Sequence, residues 1–186
     1  MTDEQIVELY WVRDEQAIHC TDEKYGPYCR TVAGNILQSP EDCEECVNDT
    51  YLRTWNTIPP SRPSKLRMFL AKITRNLAFD RYKAQAAEKR GGGETAAVLH
   101  ELAECIASDA CVEQEVIAKE LEQSVNRFVS SLPERERNVF VRRYFFTEPV
   151  SKIGQMYGIT ANHVMVILSR ARQKLRQHLQ KEGYIL

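Results

Sequence analysis

The sequence predicts an all-α chain of two small helical domains joined by a flexible acidic linker. Three observations predict it. Apolar residues recur at helical spacing through most of the 186 residues, with no convincing strand alternation. The run Gly91-Gly92-Gly93 breaks that spacing, and a weakly periodic acidic stretch follows it to residue 111. Periodicity then resumes and ends in two helices with a tight turn at Gly158, the pattern of a helix-turn-helix. The expected boundaries are 1–90, a linker over 91–111, and 112–186. At 43% hydrophobic and 27% charged residues, the chain can bury a core and is not disordered by composition.

Thr2-Asp3-Glu4-Gln5 is a capping box and starts a short helix through about Val12. A second start sits at Asp14. From there Ala17, Ile18, Tyr25, Tyr28, Val32, Ile36 and Leu37 share a helical face, and Gly26-Pro27 is expected to kink it. Ser39-Pro40-Glu41-Asp42 joins an N-cap serine, a first-position proline and two acids placed well for the helix dipole. That helix runs to about Thr57. Its expected core face is Cys43, Val47, Tyr51, Trp55 and Ile58. The opposite stripe carries Glu41, Glu45, Asn48 and Leu52, with Asp49 beside it. Such a stripe suits either water or a basic partner.

Pro59, Pro60 and Pro63 stiffen the next loop, over 58–64. Leu66, Leu70, Ile73 and Leu77 then set the buried face of a long helix ending near Arg90. Arg62 and Lys65 precede it. Its outer face carries Arg67, Lys72, Arg75, Asn76, Asp80, Lys83 and Lys89, interspersed with Phe69, Phe79 and Tyr82. Cations, aromatics and an amide suit single-stranded DNA, where bases stack and amides read edges. An ordinary amphipathic helix with aromatics in its core gives the same pattern.

Beyond the linker, Val116, Ile117, Leu121, Val125, Phe128 and Val129 follow one face. Ser131-Leu132-Pro133-Glu134 opens the next helix, with Val139, Phe140 and Tyr144 inward. The helix-turn-helix occupies 149–178. With Val150 as position one, it needs apolar residues at four, eight, ten, fifteen and eighteen. Ile153, Tyr157, Ile159, Val164 and Ile167 stand there. A small residue is needed at five, where the helices cross, and glycine suits nine, where the turn has φ > 0. Gly154 and Gly158 stand there. Thr160 can cap the second helix, whose later turns carry Arg170, Arg172, Lys174 and Arg176, a basic end fit for phosphates.

Charge is distributed in blocks. Residues 1–61 are net −8, 62–90 net +7, 91–133 net −6 and 134–186 net +6. Two basic blocks on one chain suggest two contacts with a polyanion. No apolar run approaches a membrane span, and the acidic N-terminus is unlike a signal peptide, so the expectation is a cytoplasmic protein. Its six cysteines then need not pair. Cys43-x-x-Cys46 lies within a helix, with Cys43 on the apolar face and Cys46 bordering it. These are read as core thiols. A zinc or redox site built with Cys20 and Cys29 is the alternative. No catalytic constellation and no phosphate loop appear, so neither enzyme activity nor a cofactor is expected.

The stretch from Asp42 through Trp55 (DCEECVNDTYLRTW) resembles the polymerase-docking helix of bacterial sigma factors of the sigma-70 family. Phe69 through Lys83, with Arg75-Asn76-Leu77 and Asp80-Arg81, is similar to the helix that follows it. Leu132-Pro133-Glu134-Arg135-Glu136-Arg137 and the helix-turn-helix resemble the family's C-terminal domain. Their order, with no domain between them, is similar to the extracytoplasmic function (ECF) group. The resemblance implies a sigma factor that binds core RNA polymerase, through its β′ clamp helices and its β subunit, and binds promoter DNA that is partly single-stranded. It implies polymerase contacts at Glu41, Glu45, Asn48, Asp49 and Leu52. It implies −10 contacts at Arg62, Lys65, Lys72, Arg75, Asn76 and Lys83, and a linker threading the polymerase interior. It implies −35 contacts at Lys152, Thr160, Asn162, His163, Met165 and Arg170. The chain departs from the family at Met165 and Val166, where a lysine or arginine is usual. That departure implies a −35 readout that is weak, shape-based or reliant on thymine methyl contacts, or an apolar patch that docks an anti-sigma protein. A free-standing DNA-binding regulator and a thiol-based sensor are the competing readings.

Overall fold

Local signals set the helix starts. In the computed structural model, which describes residues 1–86, 94–103 and 115–184, Thr2 caps α1 (Asp3–Trp11) with both capping-box hydrogen bonds present. The helices α2 (Gln16–Gly34), α3 (Pro40–Thr57) and α4 (Leu66–Ala86) follow. Asp14 accepts a hydrogen bond from the Gln16 amide, and Ser39 accepts one from the Asp42 amide. Gly26-Pro27, where a kink is expected, lies inside α2, which continues through Pro27 to Gly34. The Gly91–Gly93 boundary, Lys89, Arg90, Cys105 and Cys111 lie outside the described residues.

The chain divides into two compact units, Met1–Gly91 and Gly92–Leu186. In the first, α2, α3 and α4 all pack on one another, so α3 meets two neighbours along one broad buried face. That changes which residues are core. Val47 and Tyr51 are buried as expected, but so are Cys46, Thr50 and Thr54, while Cys43 and Trp55 are only half-buried. The threonines tolerate burial because each hydroxyl returns a hydrogen bond to the carbonyl four residues back: Thr50 to Cys46, Thr54 to Thr50, Thr74 to Leu70. The expected buried face of α4 shifts as well. Leu66 and Leu70 are fully buried, whereas Ile73 and Leu77 are half-buried. Ala71, Thr74, Ala78 and Phe79 fill the interior instead. Small side chains there let three helices approach closely.

The second unit contains α5 (Glu94–Ala103), α6 (Glu115–Ser131), α7 (Glu134–Tyr144), α8 (Val150–Tyr157) and α9 (Ala161–Lys181). Residues 94–103, expected to be flexible linker, are instead a helix. Its Val98 is 1% exposed in a core shared with Phe128, Leu132, Val139, Phe140, Ile153, Val164 and Leu168. The physical reason is the spacing Thr95, Val98, Leu102, one apolar stripe short enough to be hidden in an acidic composition. Among the described residues no strand occurs, and no helix is long and apolar enough to cross a membrane.

Candidate functional site

The helix-turn-helix is built as its sequence requires. Gly158 adopts φ +62°, left-handed backbone that a branched residue resists. A Cβ on Gly154 would stand 2.7 Å from the Ile159 carbonyl oxygen, so α8 and α9 can cross only over a glycine. The Ile159 amide donates to the Gly154 carbonyl at 2.9 Å, closing the turn. Thr160 then caps α9 by accepting from the His163 amide at 3.2 Å. Ile153, Val164 and Leu168 are buried, with Tyr157, Ile159 and Ile167 packed against them. This rotation leaves Thr160, Asn162, His163, Met165, Val166 and Arg170 exposed along the start of α9. Lys152 is half-buried on α8 and pairs with Glu148 at 3.3 Å.

The later basic residues of α9 are not equally available for phosphates. Arg172 donates to Glu101 at 3.1 Å and to the Tyr144 hydroxyl at 2.7 Å, and Lys174 donates to Glu136 at 2.7 Å. Arg170 and Arg176 remain exposed. The anchor for Arg172 comes from α5. Glu101 also accepts from the nearly buried Arg143 at 2.7 Å and from Tyr144 at 2.8 Å. Burial alone would raise the Glu101 carboxyl, but the hydrogen bonds from Arg143 and Tyr144 and the charges of Arg143 and Arg172 outweigh it and hold it below its ordinary value. Reading 91–111 as linker misses this residue. Its signal is the same stripe of Thr95, Val98 and Leu102.

In the first unit, the stripe on α3 is sided as the spacing demands. Glu41, Glu45, Asn48 and Leu52 are exposed, Leu52 by 59%, and Asp49 is half-buried. The acids are partly compensated from α4. Arg81 donates to Glu45 at 2.7 Å and to Asp49 at 2.5 Å. Gln85 donates to Asp42 at 2.8 Å, and Ser39 donates to Glu41 at 2.8 Å. A cleft of about 750 Å³ opens beside the stripe, walled by Ile18, His19, Asn48, Leu52 and Trp55.

The outer face of α4 carries Met68, Lys72, Asn76 and Lys83, all exposed, with Lys65 exposed just before it. Two expected members are engaged elsewhere. Arg62 pairs with Glu8 and covers the Trp11 ring, while Arg75 is half-buried with its guanidinium 4.6 Å from the Phe79 ring centroid. Phe79 is 8% exposed, and Phe69 and Tyr82 pack against core clusters. The aromatics of α4 are therefore core, not an open stacking platform.

The cysteines Cys20, Cys29, Cys43 and Cys46 are free thiols. Cys46, not Cys43, is the deeper of the pair, with its Sγ 3.5 Å from the Thr74 carbonyl. Burial pushes its thiol up to about 12, so it carries no thiolate at neutral pH. Burial raises the Cys29 and Cys43 thiols also. Among the described residues no cluster of three or more His, Cys, Asp or Glu is arranged to hold a metal ion.

Comparison with known proteins accounts for both units. A model of sigma-70 region 2 matches residues 22–88, and one of sigma-70 region 4 matches residues 128–177; together they span more than half the chain. The chain is 23% identical over 161 residues to the ECF RNA polymerase sigma factor SigW of Bacillus subtilis, covering 85% of this chain and 84% of that one. It is 25% identical over 156 residues to the ECF RNA polymerase sigma factor SigD of Mycobacterium tuberculosis (strain H37Rv), covering 84% and 72%. A solved structure of CnrH in complex with the cytosolic domain of CnrY aligns over 97% of this chain and 99% of that one, at 17% identity and a TM-score of 0.43. The chain belongs to the sigma-70 family, in its ECF group, and is a sigma factor that directs promoter-specific transcription by RNA polymerase.

Proposed function

We propose that α3 docks this sigma factor on the clamp helices of the polymerase β′ subunit. The observation that carries this is the sidedness of α3: Val47 and Tyr51 are buried while Glu41, Glu45, Asn48 and Leu52 are exposed on the other side. An exposed leucine beside an amide and acids suits a partner that brings cations around an apolar contact. Arg81 already compensates Glu45 and Asp49. Leu52 and Asn48 therefore carry more of the contact than formal charge suggests.

The loop over 58–64 and the outer face of α4 hold the −10 element as partly single-stranded DNA. Lys65, Lys72 and Lys83 meet phosphates, Asn76 reads a base edge, and Arg62 and Arg75 brace the surface against Trp11 and Phe79. In the second unit, Thr160, Asn162, His163, Met165 and Arg170 face the major groove of the −35 element, with Lys152 at the backbone. The β subunit holds this unit over the −35 element. Two modest DNA contacts on one polymerase strengthen each other through effective concentration.

Leu52→Glu tests the docking. Leu52 lies outside the core, so helical circular dichroism should not change, while binding to core polymerase in a pull-down should weaken by about 30-fold, the scale of an interface hot spot. Wild-type binding would remove α3 from the interface. Asn76→Ala should lower the permanganate reactivity of −10 thymines in the open complex. Equal reactivity would take the base-reading role from Asn76.

A further inference from the structure

The first turns of α9 present an unusually apolar reading face. Ala161, Asn162, Met165, Val166 and Ser169 are exposed on one side, spaced three and four apart. Met165 is 51% exposed and Val166 45%. Neither can turn inward, because Val164 and Leu168 fill the core side and the Thr160 cap and Gly158 turn set the start of the helix. Three nearby cations are engaged by acids, Arg172 by Glu101, Lys174 by Glu136 and Lys152 by Glu148, which leaves the exposed Arg170 at the edge of this face, four residues from Val166.

A thioether chain and a branched pair of methyls offer no hydrogen bond worth the name to a base edge. In the major groove the one apolar group is the C5-methyl of thymine; the other bases present donors and acceptors that would be desolvated against these side chains. The occupant is therefore DNA of a particular kind. We infer that Met165 and Val166 are specificity-determining residues that read thymine methyl groups in the −35 element. This rests on the proposed placement of α9 at that element.

The test uses holoenzyme, native core polymerase with this full chain, and a promoter selected by it from random-sequence DNA. Each thymine of the selected −35 element is replaced by 2′-deoxyuridine, which keeps every hydrogen-bonding group and removes only the methyl. Burying one methyl changes an equilibrium constant about fourfold, so affinity should fall about fourfold for each contacted thymine. With Met165→Ala/Val166→Ala holoenzyme the difference between thymine and uracil promoters should vanish; both side chains are exposed, so this variant keeps its fold. Several outcomes overturn the inference. A −35 element without thymine would do so. So would a uracil promoter bound as well as the thymine one while other base changes still weaken binding, which leaves α9 on the −35 element and the apolar pair to a protein partner. Discrimination undiminished in the double variant would do the same. If neither uracil nor any base change in that region matters, the −35 placement itself fails.

Discussion

Glu101→Ala is expected to destabilise the second unit by about 3 kcal/mol, the low end of the range for breaking a buried ion pair from one side. The low end applies because the Glu101 side chain is 24% exposed while that of Arg143 is 3% exposed. Removing the carboxylate leaves the Arg143 guanidinium buried, with the Glu148 carbonyl as a remaining neutral acceptor at 3.1 Å, and takes a partner from Arg172 and from Tyr144. For a unit of this size the loss corresponds to a fall in Tm of roughly 12–20 °C. Thermal unfolding followed by circular dichroism, with limited proteolysis to assign the transition to α5–α9, would read it. An unchanged Tm would show that the Glu101 ion pairs contribute nothing to the unit. Glu101→Gln keeps the acceptor and loses the charge, so it should fall between the two.

The same cluster sets an acid limit. The Glu101 carboxyl is held below its ordinary value in the folded protein, so its contribution is present at neutral pH, above the unfolded value near 4.3. It is lost as pH falls from there through the lower folded value. In Glu101→Ala that part of the acid destabilisation of the second unit should disappear.

Gly154→Val is expected to abolish use of the −35 element while sparing polymerase binding. The added Cβ meets the Ile159 carbonyl oxygen at 2.7 Å and the Ala161 amide nitrogen at 3.5 Å. Both are backbone atoms of the turn, so no side chain can rotate to make room. The strain must be relieved by moving α9 relative to α8. Overpacking of this kind costs about 1–3 kcal/mol. The functional loss should be larger than the stability loss, because base readout depends on the position of α9 and a displacement on the order of 1 Å defeats it. Run-off transcription from a −35-dependent promoter should fall at least about tenfold, with the complex with core polymerase retained, as the proposed docking through α3 requires. Wild-type transcription would mean that the crossing tolerates a side chain.

Helix starts and the turn were legible in the sequence because each is decided within a few residues. Thr2 with Gln5, Ser39 with Asp42, Thr160 with His163, and Gly154 with Ile159 are all contacts across three to five positions. So were the exposed stripe of α3 and the apolar pair Met165 and Val166, since helical spacing assigns them to outward faces. Membership of the sigma-70 family was legible for the same reason: its motifs are contiguous.

Tertiary structure alone decided which polar groups have partners and where the buried face of α3 is centred. Glu101 meets Arg143 and Arg172 across 42 and 71 residues, and Arg81 meets Glu45 and Asp49 across 36 and 32. No local pattern encodes such pairs. They fasten α5 to α7 and α9 beyond what its own apolar stripe does, temper the acidic stripe of α3, and remove Arg172 from the cations open to phosphate. The packing of α3 against both α2 and α4 likewise turned its buried face toward Cys46 and Thr50 and away from Cys43, because the positions of two neighbouring helices set the centre of that face and an amphipathic pattern does not carry them.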